Sequence, residues 1–473
     1  MSIWLSVEET ANKVRSGELK AIDLVEKSLK EIESKKEFNA VIAVISERSK
    51  QRAAQIDKDI AEGKEVGRLA GVPFIAKDNL LTFGSETTAA SNILKGFNAP
   101  YQATVIELIE AEGGICVAKA NLDAFAHGAS TENSDFGTTK NPHDKSKVPG
   151  GSSGGPAAAV ILELAPFALG TDTGGSIRQP ASFCGAVGYK PTYGLVSRNG
   201  AVAMASSTDV IGPLTKTVED AAYILEIIAG KDRYDGTTID RDKESYTNLT
   251  NSKNNITVGV IKEHLGEGVE VGVVNSVNQA IDKLKDNGFN VIEVSLPSLP
   301  LALACYYIVC PAEVSSNLSR YDGQRYGFSH NKAKSLDESY NWSRSEGFGK
   351  EAKRRIMIGT YVLSSGYYDA YYKQAQKLRT KLIEEFNSAF SKCDFLIGPT
   401  SPTVAFEIGG KVHDPLQMYM ADIMTVAPSL VGVPAISIPV APSDGLPVGL
   451  QVIAPQKHDR ELLSVSKNIE VLI

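Results

Sequence analysis

Two glycine- and serine-rich segments constrain this 473-residue chain more than any other feature. They are Pro149-Gly-Gly-Ser-Ser-Gly-Gly-Pro156 and Thr171-Asp-Thr-Gly-Gly-Ser176. An alanine-rich run follows the first, and Pro156 suits an opening helical turn, where its missing N–H would be unpaired anyway. The apolar run from Phe167 to Gly170 leads into the second. Further upstream, Gly71-Val-Pro-Phe-Ile-Ala-Lys77 and Ile115 to Ala118 read as short strands, with a helical pattern from Ala103 to Ala111 between them. Alternation of this kind points to strands and helices in layers, an α/β architecture.

The flanks look helical. Ser6 with Glu9 makes a capping-box pattern, and Ile22, Val25, Leu29 and Ile32 recur on one helical face. Residues 1–60 therefore read as a helical cover on a larger core. The segment 366–390 reads as one long helix presenting Tyr371, Ala375, Leu378, Leu382 and Phe386. The 41 glycines and 21 prolines are spread along the chain instead of gathering into a linker, so residues 1–473 are expected to form a single large domain.

Composition narrows the function classes. A formal net charge of −7 is a poor match for a phosphate backbone, so direct nucleic-acid binding is not expected of this chain. Five cysteines without a CxxC pair argue against a disulfide framework or zinc ribbon and fit a reducing compartment. The N-terminus lacks a basic region followed by an apolar run, and no apolar stretch approaches the roughly 18 residues that span a bilayer. A cytoplasmic enzyme without a membrane role is the expectation. No glycine-rich loop ends in a P-loop lysine, Gly266-Glu-Gly268 lacks the third glycine of a dinucleotide fingerprint, and the six histidines share no metal-ligand spacing. No metal is expected.

Gly150-Gly-Ser152-Ser-Gly154 matches the G-x-S-x-G nucleophile elbow, which needs an apolar strand directly before it. Here the preceding Lys140-Asn-Pro-His-Asp-Lys-Ser-Lys147 is polar and broken by proline. The other arrangement is a serine–lysine site. In Asp172-Thr-Gly-Gly-Ser176, successive N–H groups with little side-chain bulk can converge on a developing oxyanion, where each donor is worth roughly 3 kcal/mol. Lys77 ends an apolar run and could serve as a base if burial disfavours its charged form. Against this, most lysines at strand ends simply reach solvent, and glycine–serine loops are often only flexible.

The loops Gly150-Gly-Ser-Ser-Gly-Gly155, Gly174-Gly-Ser-Ile-Arg-Gln-Pro180 and Gly185-Ala-Val-Gly-Tyr-Lys-Pro-Thr192 lie in the order and spacing of the amidase-signature family, which the chain resembles. Ser152 precedes Ser176 by 24 positions, and Lys77 precedes Ser152 by 75. The resemblance implies a mixed central β-sheet covered by helices on both faces. It also implies Ser176 as the acyl-forming nucleophile, Ser152 as proton relay after a cis peptide bond, and Lys77 as neutral base. Thr173, Gly174, Gly175 and Ser176 would donate the oxyanion-hole N–H groups, a serine–lysine version of the nucleophile–base–orienter logic.

Within that family the chain looks most like the glutamine-hydrolysing components of tRNA-dependent amidotransferases. The likeness includes Ser130-Thr-Glu-Asn-Ser134, Ser315-Ser-Asn-Leu-Ser-Arg-Tyr-Asp-Gly323, Arg354-Arg-Ile-Met-Ile-Gly-Thr360, Ser364-Ser-Gly-Tyr-Tyr-Asp-Ala-Tyr-Tyr372 and Gly398-Pro-Thr-Ser-Pro402. It implies ammonia release from glutamine and transfer to a tRNA-binding partner subunit, which uses ATP and Mg²⁺ to amidate misacylated tRNA. A third, small subunit would complete a heterotrimer. Glutamine carries one charge of each sign, so its pocket should too. Asp422, in the apolar run Met418 to Met424, would hold the α-amino group and Arg355 the α-carboxylate, with Tyr306 lining the pocket. Arg354, Tyr307 and a capping or solvent-facing Asp422 are the alternatives. His127 stands where methionine would be expected and has no assigned role. The competing readings are a stand-alone amidase for another small amide and a non-catalytic assembly subunit.

Overall fold

Strand alternation organises the centre of the molecule. In β2 (Pro73–Lys77), Phe74 and Ala76 join one hydrophobic cluster while Ile75 joins another on the opposite face. The same parity recurs in β4 (Phe167–Asp172), where Phe167 and Leu169 face one way and Ala168 the other. Side chains of a strand alternate between faces, so burial of both sets means that both faces are covered.

The computed structural model describes residues 2–250 and 255–473. Its remaining strands are β1 (Val41–Val44), β3 (Ile115–Ala120), β5 (Val187–Lys190), β6 (Val210–Thr215), β7 (Thr257–Ile261), β8 (Asn290–Val294), β9 (Phe395–Pro399), β10 (Ala435–Ser443) and β11 (Leu446–Ile453). They form an 11-stranded sheet in the order β1-β3-β2-β4-β6-β5-β10-β11-β9-β7-β8. The β3–β2–β4 and β9–β7–β8 groups are parallel and the other pairings antiparallel. The sheet is therefore mixed. Helices Thr104–Ala111, Val218–Ile228, Val271–Asp286 and Asp459–Leu472 cover one face. Ala21–Ser34, Gly154–Ile161, Arg178–Cys184, Ala302–Asn317 and Lys373–Phe390 cover the other.

Three local expectations change. The N-terminal 60 residues are not all helix: β1 interrupts them and pairs antiparallel with β3, because the apolar Val41-Ile-Ala-Val44 can hydrogen-bond along an open sheet edge. The helix expected over 366–390 begins at Lys373, after a π-helical turn at Tyr368–Tyr372. That wider turn shifts the helical phase, so Ala375, Leu382 and Phe386 are buried while Tyr371 is 41% exposed. Finally, Leu299–Arg320 is one helical run of 22 residues, long and apolar enough by composition to cross a membrane. Here it lies in the core, against the helices Lys350–Leu363 and Lys373–Phe390. Gly359 permits the first of these contacts, since a Cβ there would overlap Pro311 O.

Candidate active site

β2 delivers Lys77 to the interior at its C-terminal end. The side chain is fully buried, and its Nζ lies 2.8 Å from Ser152 Oγ, 2.8 Å from Ser153 Oγ and 2.9 Å from Thr171 Oγ1. All three neighbours are neutral hydroxyls. Burial lowers the amine from 10.5 to about 7, although the carboxylates of Asp123, Asp172 and Asp209 pull it back up. Near neutral pH the amine therefore spends much of its time uncharged, with two N–H donors and one lone pair.

The neighbours decide where that lone pair points. Ser153 Oγ donates to Thr171 O at 3.1 Å, so its own lone pair faces Lys77. Thr171 Oγ1 also accepts from Asn79 Nδ2 at 3.0 Å. These two hydroxyls take the amine's donors. Ser152 Oγ has Lys77 alone as a partner among the described residues, and is left as the group whose O–H can donate to the amine.

The two serine loops are joined through backbone. The Gly151–Ser152 peptide is cis, and Ser153 N–H donates to Ser176 O at 3.1 Å. Ser176 is buried at the entry of the helix Arg178–Cys184. The loop before it is built on Asp172, whose carboxylate receives the N–H groups of Gly175 (2.9 Å) and Ile177 (3.2 Å). Arg178 grips the same carboxylate in bidentate fashion, Nε to Oδ2 at 3.0 Å and Nη2 to Oδ1 at 2.9 Å. Burial pushes Asp172 up, but the charge and hydrogen bonds of Arg178 outweigh it and hold the carboxyl below its ordinary range. Gly175 has φ +142°, and a Cβ there would overlap Thr425 Oγ1. Only glycine fits.

This loop differs from the sequence expectation at one position. The Gly175 N–H is already given to Asp172, because a buried carboxylate must be solvated by donors. Thr173, Gly174 and Ser176 N–H have no acceptor among the described residues, and these three remain for an oxyanion. Thr173 is held by its own side chain, whose Oγ1 donates to Asp209 at 2.7 Å.

The residues expected to bind the substrate's charged end gather beside this loop. Tyr306 is buried with its ring against Gly174, where a Cβ would fall 2.6 Å from Cζ. Tyr307 instead stacks on Tyr419 at 3.8 Å. Arg355 is 2% exposed, donates from Nε to Glu351 Oε1 at 2.9 Å, and lies under the Tyr307 and Tyr419 rings. Arg354 pairs with the same glutamate but is 43% exposed, which places it at the rim. Asp422 is buried, and its Oδ1 has no hydrogen-bond partner among the described residues. Burial raises this carboxyl well above its ordinary value, with Arg355 opposing. A narrow pocket of about 60 Å³ nearby is lined in part by Ala129, Ser130, Tyr307, Arg354, Met418 and Tyr419; its lining includes the alternatives Tyr307 and Arg354 and not Tyr306, Arg355 or Asp422.

The sequence pattern of the family described as Amidase matches residues 23–463. The chain belongs to the amidase family. Its relatives include the A-type component of glutamyl-tRNA(Gln) amidotransferase from Thermoanaerobacter pseudethanolicus, 52% identical over 98% of this chain and 96% of that protein. Among solved structures, the A-type component of the same enzyme from Thermotoga maritima superposes with a TM-score of 0.80 at 40% identity, covering 98% of this chain and 94% of the other. A bacterial aryl acylamidase of the amidase-signature family superposes at 0.87 with 25% identity, covering 99% and 96%. The fold is thus shared across amidases of different specificity, and the pocket must distinguish among them.

Several residues that serve the site escaped the sequence reading. Thr171, Ser153 and Asn79 orient the lysine, while Arg178 and Thr425 brace the loop. Arg178 alone left a trace: an arginine two positions after a buried Gly-Gly-Ser run needs a carboxylate, and Asp172 is the nearest in sequence. Thr425 lies some 250 residues away and left none.

Proposed function

We propose that this chain is the glutaminase component of a tRNA-dependent amidotransferase, with Ser176 as nucleophile, Ser152 as relay and Lys77 as base. The 2.8 Å contact between a buried Lys77 amine and Ser152 Oγ carries the reading. As Ser176 Oγ attacks the side-chain carbonyl carbon of glutamine, its proton passes to Ser152 Oγ, and the Ser152 proton passes to Lys77 Nζ. The carbonyl oxygen becomes an oxyanion facing the N–H groups of Thr173, Gly174 and Ser176. Collapse of the tetrahedral adduct breaks the C–N bond, and the proton returns from Lys77 through Ser152 to the departing nitrogen, which leaves as ammonia. Water then attacks the acyl-serine with the same groups as base, releasing glutamate and restoring Ser176.

Asp422 and Arg355 support glutamine as the amide donor, because a buried carboxyl and a buried guanidinium close enough to act on one another match an α-amino and an α-carboxylate group. The names of the relatives support the destination of the ammonia. A tRNA-binding partner would use it with ATP and Mg²⁺ to amidate misacylated tRNA, and a third, small subunit would complete the heterotrimer. The test is ammonia release from glutamine by the chain co-expressed with its candidate partner subunits, beside its Ser176→Ala variant. Release that vanishes in the variant supports the reading. No release from glutamine, with turnover of other amides, refutes it in favour of a stand-alone amidase.

A further inference from the structure

Two consecutive glycines have the widest backbone freedom a chain offers, so Gly174 and Gly175 do not aim the N–H groups around them unaided. The structure pins their peptides one at a time. In the Gly174–Gly175 peptide, the N–H end is given to Asp172 Oδ1 at 2.9 Å, and the carbonyl end accepts from Thr425 Oγ1 at 2.7 Å. In the next peptide, Gly175 O accepts from Gln179 N–H at 2.8 Å. A trans peptide points its C=O and N–H in opposite directions, so holding Gly175 O towards the helix Arg178–Cys184 turns the Ser176 N–H away from it.

Thr425 is itself fixed on every side. It is wholly buried at the entry of the helix Val426–Val431. Its N–H donates to Asp422 O at 2.9 Å, and its carbonyl accepts from Arg178 Nη2 at 3.0 Å. The same guanidinium grips Asp172, so both ends of the Gly174–Gly175 peptide are held by residues that Arg178 ties together. A threonine hydroxyl has one proton to give. Gly174 O at 2.7 Å is nearer to it than Asp422 O at 3.0 Å, and Asp422 O already has the Thr425 N–H. Gly174 O has no other donor among the described residues. The hydroxyl also stands where a Cβ on Gly175 would fall, which puts it in direct contact with the loop.

We propose that Thr425 is a positioning residue for the reaction. Its hydroxyl fixes the plane of the Gly174–Gly175 peptide, and with it the aim of the Gly174 and Ser176 N–H groups on the oxyanion. The inference rests on the oxyanion set of the proposed mechanism and deepens it. Every amide develops the same oxyanion, so this role acts on kcat and on all substrates. A residue acting through Asp422 would instead change KM for glutamine, and a merely structural one would leave the kcat of the folded enzyme intact.

The experiment measures kcat and KM for glutamine and for butanamide, which lacks both α groups, on the wild-type chain assembled with its partners and on Thr425→Val and Thr425→Ser. Removing one oxyanion donor outright costs about 10²–10³-fold in kcat. Loosening two is expected to lower kcat about tenfold or more in Thr425→Val on both amides, with KM within about threefold. Thr425→Ser keeps the hydroxyl and should hold kcat within about threefold of the wild type. Thr425→Ala carries the same expectation as the valine variant and takes its place should that fail to fold. An unchanged kcat in the hydroxyl-free variants, a serine variant as impaired as the valine one, or a loss confined to KM for glutamine would overturn the role. If the wild type turns over butanamide and not glutamine, the glutaminase reading falls and kcat on butanamide still decides the role of Thr425. An active glutaminase with an unimpaired Thr425→Val variant overturns the role of Thr425 alone.

Discussion

Replacing Lys77 by methionine removes the amine while keeping an unbranched chain of similar length, and it tests the base through stability as well as rate. In the folded protein burial brings the amine from 10.5 to about 7, whereas the unfolded chain returns it to its ordinary value. Between about pH 7 and 10.5 the unfolded state therefore holds a proton that the folded state lacks. Raising the pH through that window favours folding, by about 1.4 kcal/mol per pH unit where the difference is a full proton. From about pH 7.5 to 9.5 the wild type should gain about 2.5 kcal/mol relative to Lys77→Met, since titration of groups not coupled to Lys77 cancels in the comparison. Urea unfolding of both proteins at the two pH values reads this directly. In parallel, amide hydrolysis by the wild type should rise as the pH climbs through about 7 and then level, and the variant should lose about 10²–10⁴-fold in rate. A stability difference that stays flat with pH would mean that Lys77 is protonated in the folded protein. The proton relay through Ser152 would then be wrong. So would it be if Lys77→Met hydrolysed amides at the wild-type rate.

Two further outcomes follow from the buried charges. Burial raises the Asp422 carboxyl well above its ordinary value, and an arriving ammonium favours the carboxylate, so glutamine binding should tighten as pH rises. Calorimetric titration of the Ser176→Ala variant measures this without turnover, and adding Asp422→Asn should weaken binding about tenfold or more and flatten the pH dependence. Affinity that is unchanged by Asp422→Asn would remove its role. Arg178→Met strips Asp172 of its bidentate partner and should cost about 3–5 kcal/mol in urea unfolding, with a loss of activity as the Gly175–Ile177 turn loosens. A change below about 1 kcal/mol would show that the Asp172 carboxylate is satisfied without it.

Much of the site is legible in the sequence because its chemistry needs rare local patterns. A strand ending in lysine, a glycine–serine loop ahead of an alanine-rich helix, and a Gly-Gly-Ser turn are each written in contiguous residues. Their order along the chain carries the resemblance to amidases. The helical cover is legible too, but β1 is not, because its partner β3 lies more than seventy residues away and four apolar residues have no period of their own. Tyr371 is misplaced for a related reason: a π turn changes the phase of a helix without leaving a hydrophobic signature.

By itself, then, the sequence determined the layered α/β class and the residue types that can acylate. These depend on local periodicity and side-chain chemistry. Tertiary structure decided everything that depends on what lies across the sheet. It lowered the proton affinity of Lys77 by burying its amine among three hydroxyls. It committed the Gly175 N–H to Asp172 and left those of Thr173, Gly174 and Ser176 without an acceptor among the described residues. It buried Arg355 and left Arg354 exposed, in the lining of the narrow pocket. The physical reason is common to all three. Proton affinity, donor availability and charge strength are set by desolvation and by neighbours that the fold brings from distant parts of the chain.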